Sequence, residues 1–206
     1  MTAPIKALSA VAVVALAGIA VFSYNQARNT GGAEPVAQIQ TAAADGTPIN
    51  ACTLLTDDEV SAAVGAKVTP AERRDDGFVG GQGKYAPEGT YSSTCFWQFH
   101  ADASGNDDPT LPMGGKRFAI LNAMVWPTEK DASGFLQSFR DAFKEEIIPS
   151  SPVAIDIGEE GLWWGDGTAV RKGKKSFGMS VFLQNGDKES QRKMEDTLAR
   201  KIEKRI

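Results

Sequence analysis

The stretch Lys116-Arg117-Phe118-Ala119-Ile120-Leu121-Asn122-Ala123-Met124-Val125-Trp126 decides the architecture. In an extended chain, Phe118, Ile120 and Met124 fall on one face and Ala119, Leu121, Ala123 and Val125 on the other. Apolar residues on both faces mark a strand buried on both sides, so this run is expected to be the central strand of a sheet. On its N-terminal side, Ser92 to Phe99 reads as a second strand with Cys95, Trp97 and Phe99 on one face. On its C-terminal side, Asp131 to Ile147 reads as the main helix, with Phe135, Leu136, Phe139, Phe143 and Ile147 as its apolar stripe. Pro149 and Pro152 stop it.

Further out, Val153 to Ile157, Gly161 to Trp164, Thr168 to Arg171 and Ser176 to Leu183 read as short strands separated by Gly-containing turns. In the last, Phe177, Met179, Val181 and Leu183 point inward while Gly178 and Ser180 point outward. Asp187 to Ile206 reads as a charged closing helix with a thin stripe of Met194, Leu198, Ile202 and Ile206. Upstream, Thr56 and Glu59 form a capping box, Leu55 and Val60 the flanking staple, and Gly65 the stop of a short helix. Lys67 to Thr69 is expected as a short strand, and Arg73 to Thr90 as an irregular surface excursion. The expected class is α+β: a mainly antiparallel sheet with a short N-terminal, a central and a C-terminal helix.

Composition sets the class of partner. The chain has 206 residues, 42% of them hydrophobic, and a formal net charge of -4. That excludes a disordered polymer or a multispan membrane protein, and argues against nucleic acid as the main partner. Ala7 to Tyr24 carries no charge and matches the roughly 20 residues needed to cross a bilayer. Residues 1–28 are therefore expected to be a signal anchor, or a cleavable signal peptide, preceding the globular part. Lys6 with the amino terminus slightly outweighs Arg28, which puts the short tail in the cytoplasm. Residues 29–50 read as a flexible tether and residues 51–206 as one extracytoplasmic domain. Lys6 and Arg28 are the only charged side chains among the first 30 residues, so the remainder holds -6 against the whole-chain -4.

Cys52 and Cys95 are the two cysteines, and in an exported domain they are expected to pair. A Cys95–His100 nucleophile is disfavoured because odd spacing on one strand points the two side chains to opposite faces. Gly80 to Lys84 fails the phosphate-loop spacing, and Pro87 spoils a dinucleotide fingerprint. Asp102, Ser104, Asn106, Asp107 and Asp108 lack the Gly and Glu of an EF-type calcium loop. Glu159 and Glu160, adjacent, would diverge on a strand and are read as a turn, and Ser190 and Lys193 lack companion motifs. No residue is assigned a catalytic, cofactor or metal role. Trp163 and Trp164 should lie on opposite faces of a short strand, one in the core and one available to a ligand or partner.

Cys52-Thr53-Leu54-Leu55-Thr56 with Glu59-Val60 and Gly65, followed by Cys95-Phe96-Trp97, resembles a bacterial cell-envelope domain family of unknown function, many of whose members are lipoproteins. Gly158-Glu159-Glu160-Gly161 and Val170-Arg171-Lys172-Gly173 are similar to its later segments, although Glu159 and Gly161 replace the usual Asp and Ala and there is no lipobox cysteine. The resemblance spans Cys52 to the C-terminus and implies an exported α+β domain with a disulfide. It implies no reaction. The expected function is a membrane-tethered binding or envelope-assembly module. The alternatives are a carrier of a small apolar envelope ligand held between Trp163 or Trp164 and the Phe-rich helix, and a hydrolase using His100 or clustered carboxylates.

Overall fold

The computed structural model describes residues 48–79, 86–99, 117–183 and 187–206. A 3₁₀ turn, Ala51–Thr53, precedes helix α1 (Asp57–Val64) and strands β1 (Glu72–Phe78), β2 (Tyr91–Phe99) and β3 (Arg117–Val125). Helix α2 (Glu129–Lys144) leads to β4 (Val153–Ala154), β5 (Glu160–Trp163), β6 (Thr168–Lys172) and β7 (Lys175–Phe182), and α3 (Lys188–Glu203) closes the chain. All pairings among these strands are antiparallel, in the order β1-β2-β3-β7-β6-β5-β4. The architecture is α+β, and β3 lies inside the sheet between β2 and β7, as its two-faced pattern requires.

The two faces are covered differently. Cys95, Trp97 and Phe99 of β2, Ala119, Leu121 and Ala123 of β3, and Phe177, Met179 and Val181 of β7 share one face and are buried with the 3₁₀ turn, α1 and α3. The opposite face carries α2 over β5, β6 and β7. Leu136 and Phe139 pack there on Leu162 and Ala169, while Ala132 packs on Met124 and Trp126. Gly178 marks the crossing, since a methyl there would lie 3.9 Å from the Phe135 ring. Beyond α2 the same face keeps an aromatic row on β2, β3 and β7: Phe96, Phe118 and Phe182, with centroids 5.3 and 4.3 Å apart, all half-buried.

The start of the domain is fastened to the middle of one sheet half. Cys52 and Cys95 form a disulfide with their Cα atoms 5.0 Å apart. Ala51 donates its amide to Ser93 Oγ at 2.9 Å. Ile49 and Asn50, just before it, are buried as well. The α1 capping box forms, with Thr56 Oγ accepting from Glu59 N and Glu59 accepting from Thr56 N. Leu55 and Val60 are buried as the staple, and Gly65 ends the helix at φ 69°. Asp57 Oδ1 accepts from Trp97 Nε1 at 2.9 Å and from Ala71 N at 3.0 Å, tying α1 to the sheet.

Several local expectations change. The segment from Arg73 begins as an edge strand: Glu72 to Phe78 pairs with β2 through a register shift between Arg74 and Gly77. The shift breaks strict alternation, and charged side chains on an edge strand are a device against edge-to-edge pairing. Lys67 to Thr69 makes only an isolated bridge, Val68 with Phe99. Helix α2 starts two residues early because Thr128 accepts from Asp131 N as its cap, and it ends at Lys144, before Glu146 at φ 57°. Phe143, expected in the apolar stripe, is 39% exposed. The strand expected over Val153 to Ile157 pairs only at Val153 and Ala154.

Among the described residues, no helix is long and apolar enough to cross a membrane. The apolar run Ala7 to Tyr24 lies outside them.

Candidate functional site

Trp163 and Trp164 stand at the end of β5, where the turn Trp164-Gly165-Asp166-Gly167 enters β6. The turn closes by Trp164 N donating to Gly167 O at 3.0 Å. Gly167 is needed at that spot: a methyl there would run into Ser180 Oγ and stand 3.0 Å from both Met179 O and Trp164 Nε1. Strand alternation sends the two indoles to opposite faces. Trp164 goes under α2, its ring 5.6 Å from Phe139, in the cluster that includes Phe135 and Leu162. Trp163 goes under the flank of α3. Both are half-buried, so neither is a bare surface ring and no single site contains both.

Trp163 meets a carboxylate that the chain has no apolar way to satisfy. Its Nε1 donates to Glu195 Oε2 at 3.0 Å. Glu195 Oε1 accepts from Val181 N at 3.0 Å and from Gln191 Nε2 at 2.9 Å. Glu195 is wholly buried and Gln191 nearly so. Burial pushes the Glu195 carboxyl up from 4.5 to about 7, against the pull of its three donors and of Lys188. Lys188 itself is held by Asp166 on the β5–β6 turn. Arg192 lies over the Trp163 ring, 5.0 Å from its centroid, roofing the site with a cation. The raised carboxyl therefore sits inside the packing of α3 on β6 and β7, beside Trp163 of β5. Its oxygens are engaged by donors and shielded from solvent, so it titrates without presenting itself to a substrate.

Glu159 lies on the turn expected there, Glu160 opens β5, and the two carboxylates converge. Both reach Arg171, whose Nη1 is 2.6 Å from Glu159 and whose Nε is 3.5 Å from Glu160. The turn at Gly158, with φ 70°, swings Glu159 back over the strand, a geometry that strand alternation does not anticipate. Glu160 also accepts from Arg140 at 3.1 Å and Ser133 at 3.2 Å. This is an ion-paired cluster that fastens α2 to the β5–β6 edge. Ser190 Oγ donates to Asp187 Oδ2 at 3.0 Å in the α3 cap, so its spacing with Lys193 serves the helix start. His100, Gly80 to Lys84 and the acidic stretch Asp102 to Asp108 lie outside the described residues. Among the described residues, no three His, Cys, Asp or Glu side chains gather to hold a metal ion.

No family model, curated protein or solved structure matches this chain. Its sites are therefore read from its own residues.

Proposed function

We propose that the protein is an extracytoplasmic module, tethered to a bacterial membrane by residues 1–28, that acts by binding or envelope assembly. The observation that carries this reading is the Cys52–Cys95 disulfide, which closes the domain where the expected tether ends. Disulfides of this kind persist in oxidising compartments. The half-buried row Phe96, Phe118 and Phe182, beside Arg74 stacked 4.3 Å over Phe96, supplies an apolar surface suited to contact. The same row supports the alternative reading, a carrier of a small apolar envelope ligand, because α2 leaves it uncovered.

The test is to express the full chain in a bacterium and measure sidedness, thiol state and intact mass together. The expected result is a membrane-bound domain open to external protease, with both cysteines unreactive until reduced. Mass then tells retention of residues 1–28 from cleavage. A cytosolic chain with two free thiols would sink the reading.

A further inference from the structure

One rim of the sheet gathers positive charge and an exposed aromatic ring on a chain whose net charge is negative. The register runs Phe78 to Tyr91, Tyr91 to Val125, Val125 to Lys175 and Lys175 to Lys172 across β1, β2, β3, β7 and β6. At about 4.8 Å per strand, Phe78 and Lys175 stand about 14 Å apart along one edge of the molecule. Phe78 is 72% exposed and rests edge-on against Tyr91, with ring centroids 5.3 Å apart. The β6–β7 turn carries Lys174 and Lys175, both exposed. Lys172 Nζ donates to Glu203 O at 2.9 Å, which brings the end of α3 with exposed Lys204 to the same rim. Among the described residues, Lys174, Lys175 and Lys204 have no carboxylate within ion-pair distance. Glu203 is paired with Lys172 and Glu159 with Arg171, while Glu88 on the turn before β2 and Glu129 just after β3 are exposed acids near this edge.

The described chain begins against the half of β2 that leads to this rim. Cys52 is bonded to Cys95, and Ala51 reaches Ser93, two residues nearer Tyr91. Read backwards from Cys52 to Ala51, the polypeptide therefore steps along β2 towards Tyr91, the partner of Phe78.

We infer that this rim, Phe78 with Lys174, Lys175 and Lys204, is the face on which the domain rests on an anionic phospholipid surface. The inference rests on the tethered reading above and deepens it. One aromatic side chain and three lysines would bind a bilayer weakly from free solution. A tether of some 20 residues raises the effective concentration of that bilayer to the millimolar range, which makes weak contacts sufficient. The lysines meet lipid phosphates while Phe78 enters the interfacial layer, the usual division between basic and aromatic groups at a membrane.

The test uses the full chain in vesicles of phosphatidylcholine with roughly 30% phosphatidylglycerol, an anionic fraction that gives a negative surface potential. Emission from F78W, less that of the wild type, is compared in ordinary and bromine-labelled lipid. Circular dichroism confirms that each variant is folded. Expected is at least a twofold quench in the anionic vesicles. It should disappear in pure phosphatidylcholine, in F78W carrying K174E, K175E and K204E, and at about 1 M NaCl, where the screening length is about 3 Å. Equal emission from both lipids in the anionic vesicles overturns the inference, as does a quench that survives the three charge reversals. Alkaline carbonate extraction judges the tether separately. A chain that stays with the vesicles but shows no quench keeps the tether and loses the rim. An extractable chain that is quenched keeps the rim and loses the tether. A chain that never floats with the vesicles loses both.

Discussion

Replacing Glu195 by Gln tests a buried group whose charge should move near neutral pH. In the folded chain its carboxyl is raised from 4.5 to about 7, chiefly by burial. A raised acid holds its proton more tightly folded than unfolded, so its effect on stability is absent below 4.5. The penalty grows as pH rises through the interval and is complete above about 7. At 1.36 kcal/mol per unit, the wild type should lose about 3 kcal/mol across that window relative to a chain without the charge. For a domain of this size that is about 6–12 °C in melting temperature.

E195Q should lack this dependence. Its amide carries a fixed cost of its own. Oε1 must still receive Val181 N and Gln191 Nε2, so the new NH₂ group faces the Trp163 N–H, donor against donor. That offset is independent of pH, so the difference between the two curves is the informative quantity. The assay is urea unfolding with the disulfide intact, followed by tryptophan fluorescence from about pH 4 to about pH 9, the span over which such linkage is expressed. Urea is preferred because guanidinium salt would screen Lys188 and Arg192. The wild type should fall by about 3 kcal/mol relative to E195Q between pH 4.5 and about 7. Parallel curves would refute the reasoning.

Two further perturbations probe the fastening of the domain's ends. Substituting Cys52 and Cys95 by Ser opens a bridge of sequence separation 43 and should lower stability by about 4 kcal/mol on the loop-entropy estimate, read as a shifted urea midpoint. Arg205 holds Glu59 down from 4.5 to about 2, so this pair's contribution is present above 4.5 and is lost as pH falls towards 2. The Arg205 side chain is 40% exposed. R205A should therefore cost only about 1 kcal/mol at neutral pH and flatten the acid limb of the stability curve. An unchanged acid limb would show that the pair is energetically silent.

The fold was legible wherever one physical signal acted alone. Strand β3 is apolar on both faces, β7 alternates, and α1 carries a capping box, so each was readable from its own residues. Strand β1 was not: Glu72, Arg73, Arg74, Asp75 and Asp76 look like a solvated loop, and only pairing with β2 shows them to be a protected edge. Glu195 was hidden by its polarity. The buried stripe of α3 runs Gln191, Glu195, Leu198 and Ile202, at helical spacing, and reading only its apolar members leaves a thin line without its polar half. A charge at the centre of an otherwise core-facing stripe was the available signal. The rim could not be read at all, because Phe78, Lys174, Lys175 and Lys204 come together only through the strand order.

If the domain is tethered as proposed, the fastening of its two ends bears on how it carries load. Arg205 donates to Leu54 O at 2.8 Å and pairs with Glu59, so the last residues clasp the first helix across nearly the whole domain. Force arriving along a tether meets the Ala51–Ser93 hydrogen bond and the Cys52–Cys95 bond before it reaches any free strand. Strand β2, to which both attach, is paired on each side by β1 and β3. Pulling there loads the ladders of an interior strand together instead of peeling an edge strand one bond at a time. The disulfide is thus placed where it can do more than restrict the unfolded chain. It converts the point of attachment from a 3₁₀ turn of three residues into the body of the sheet.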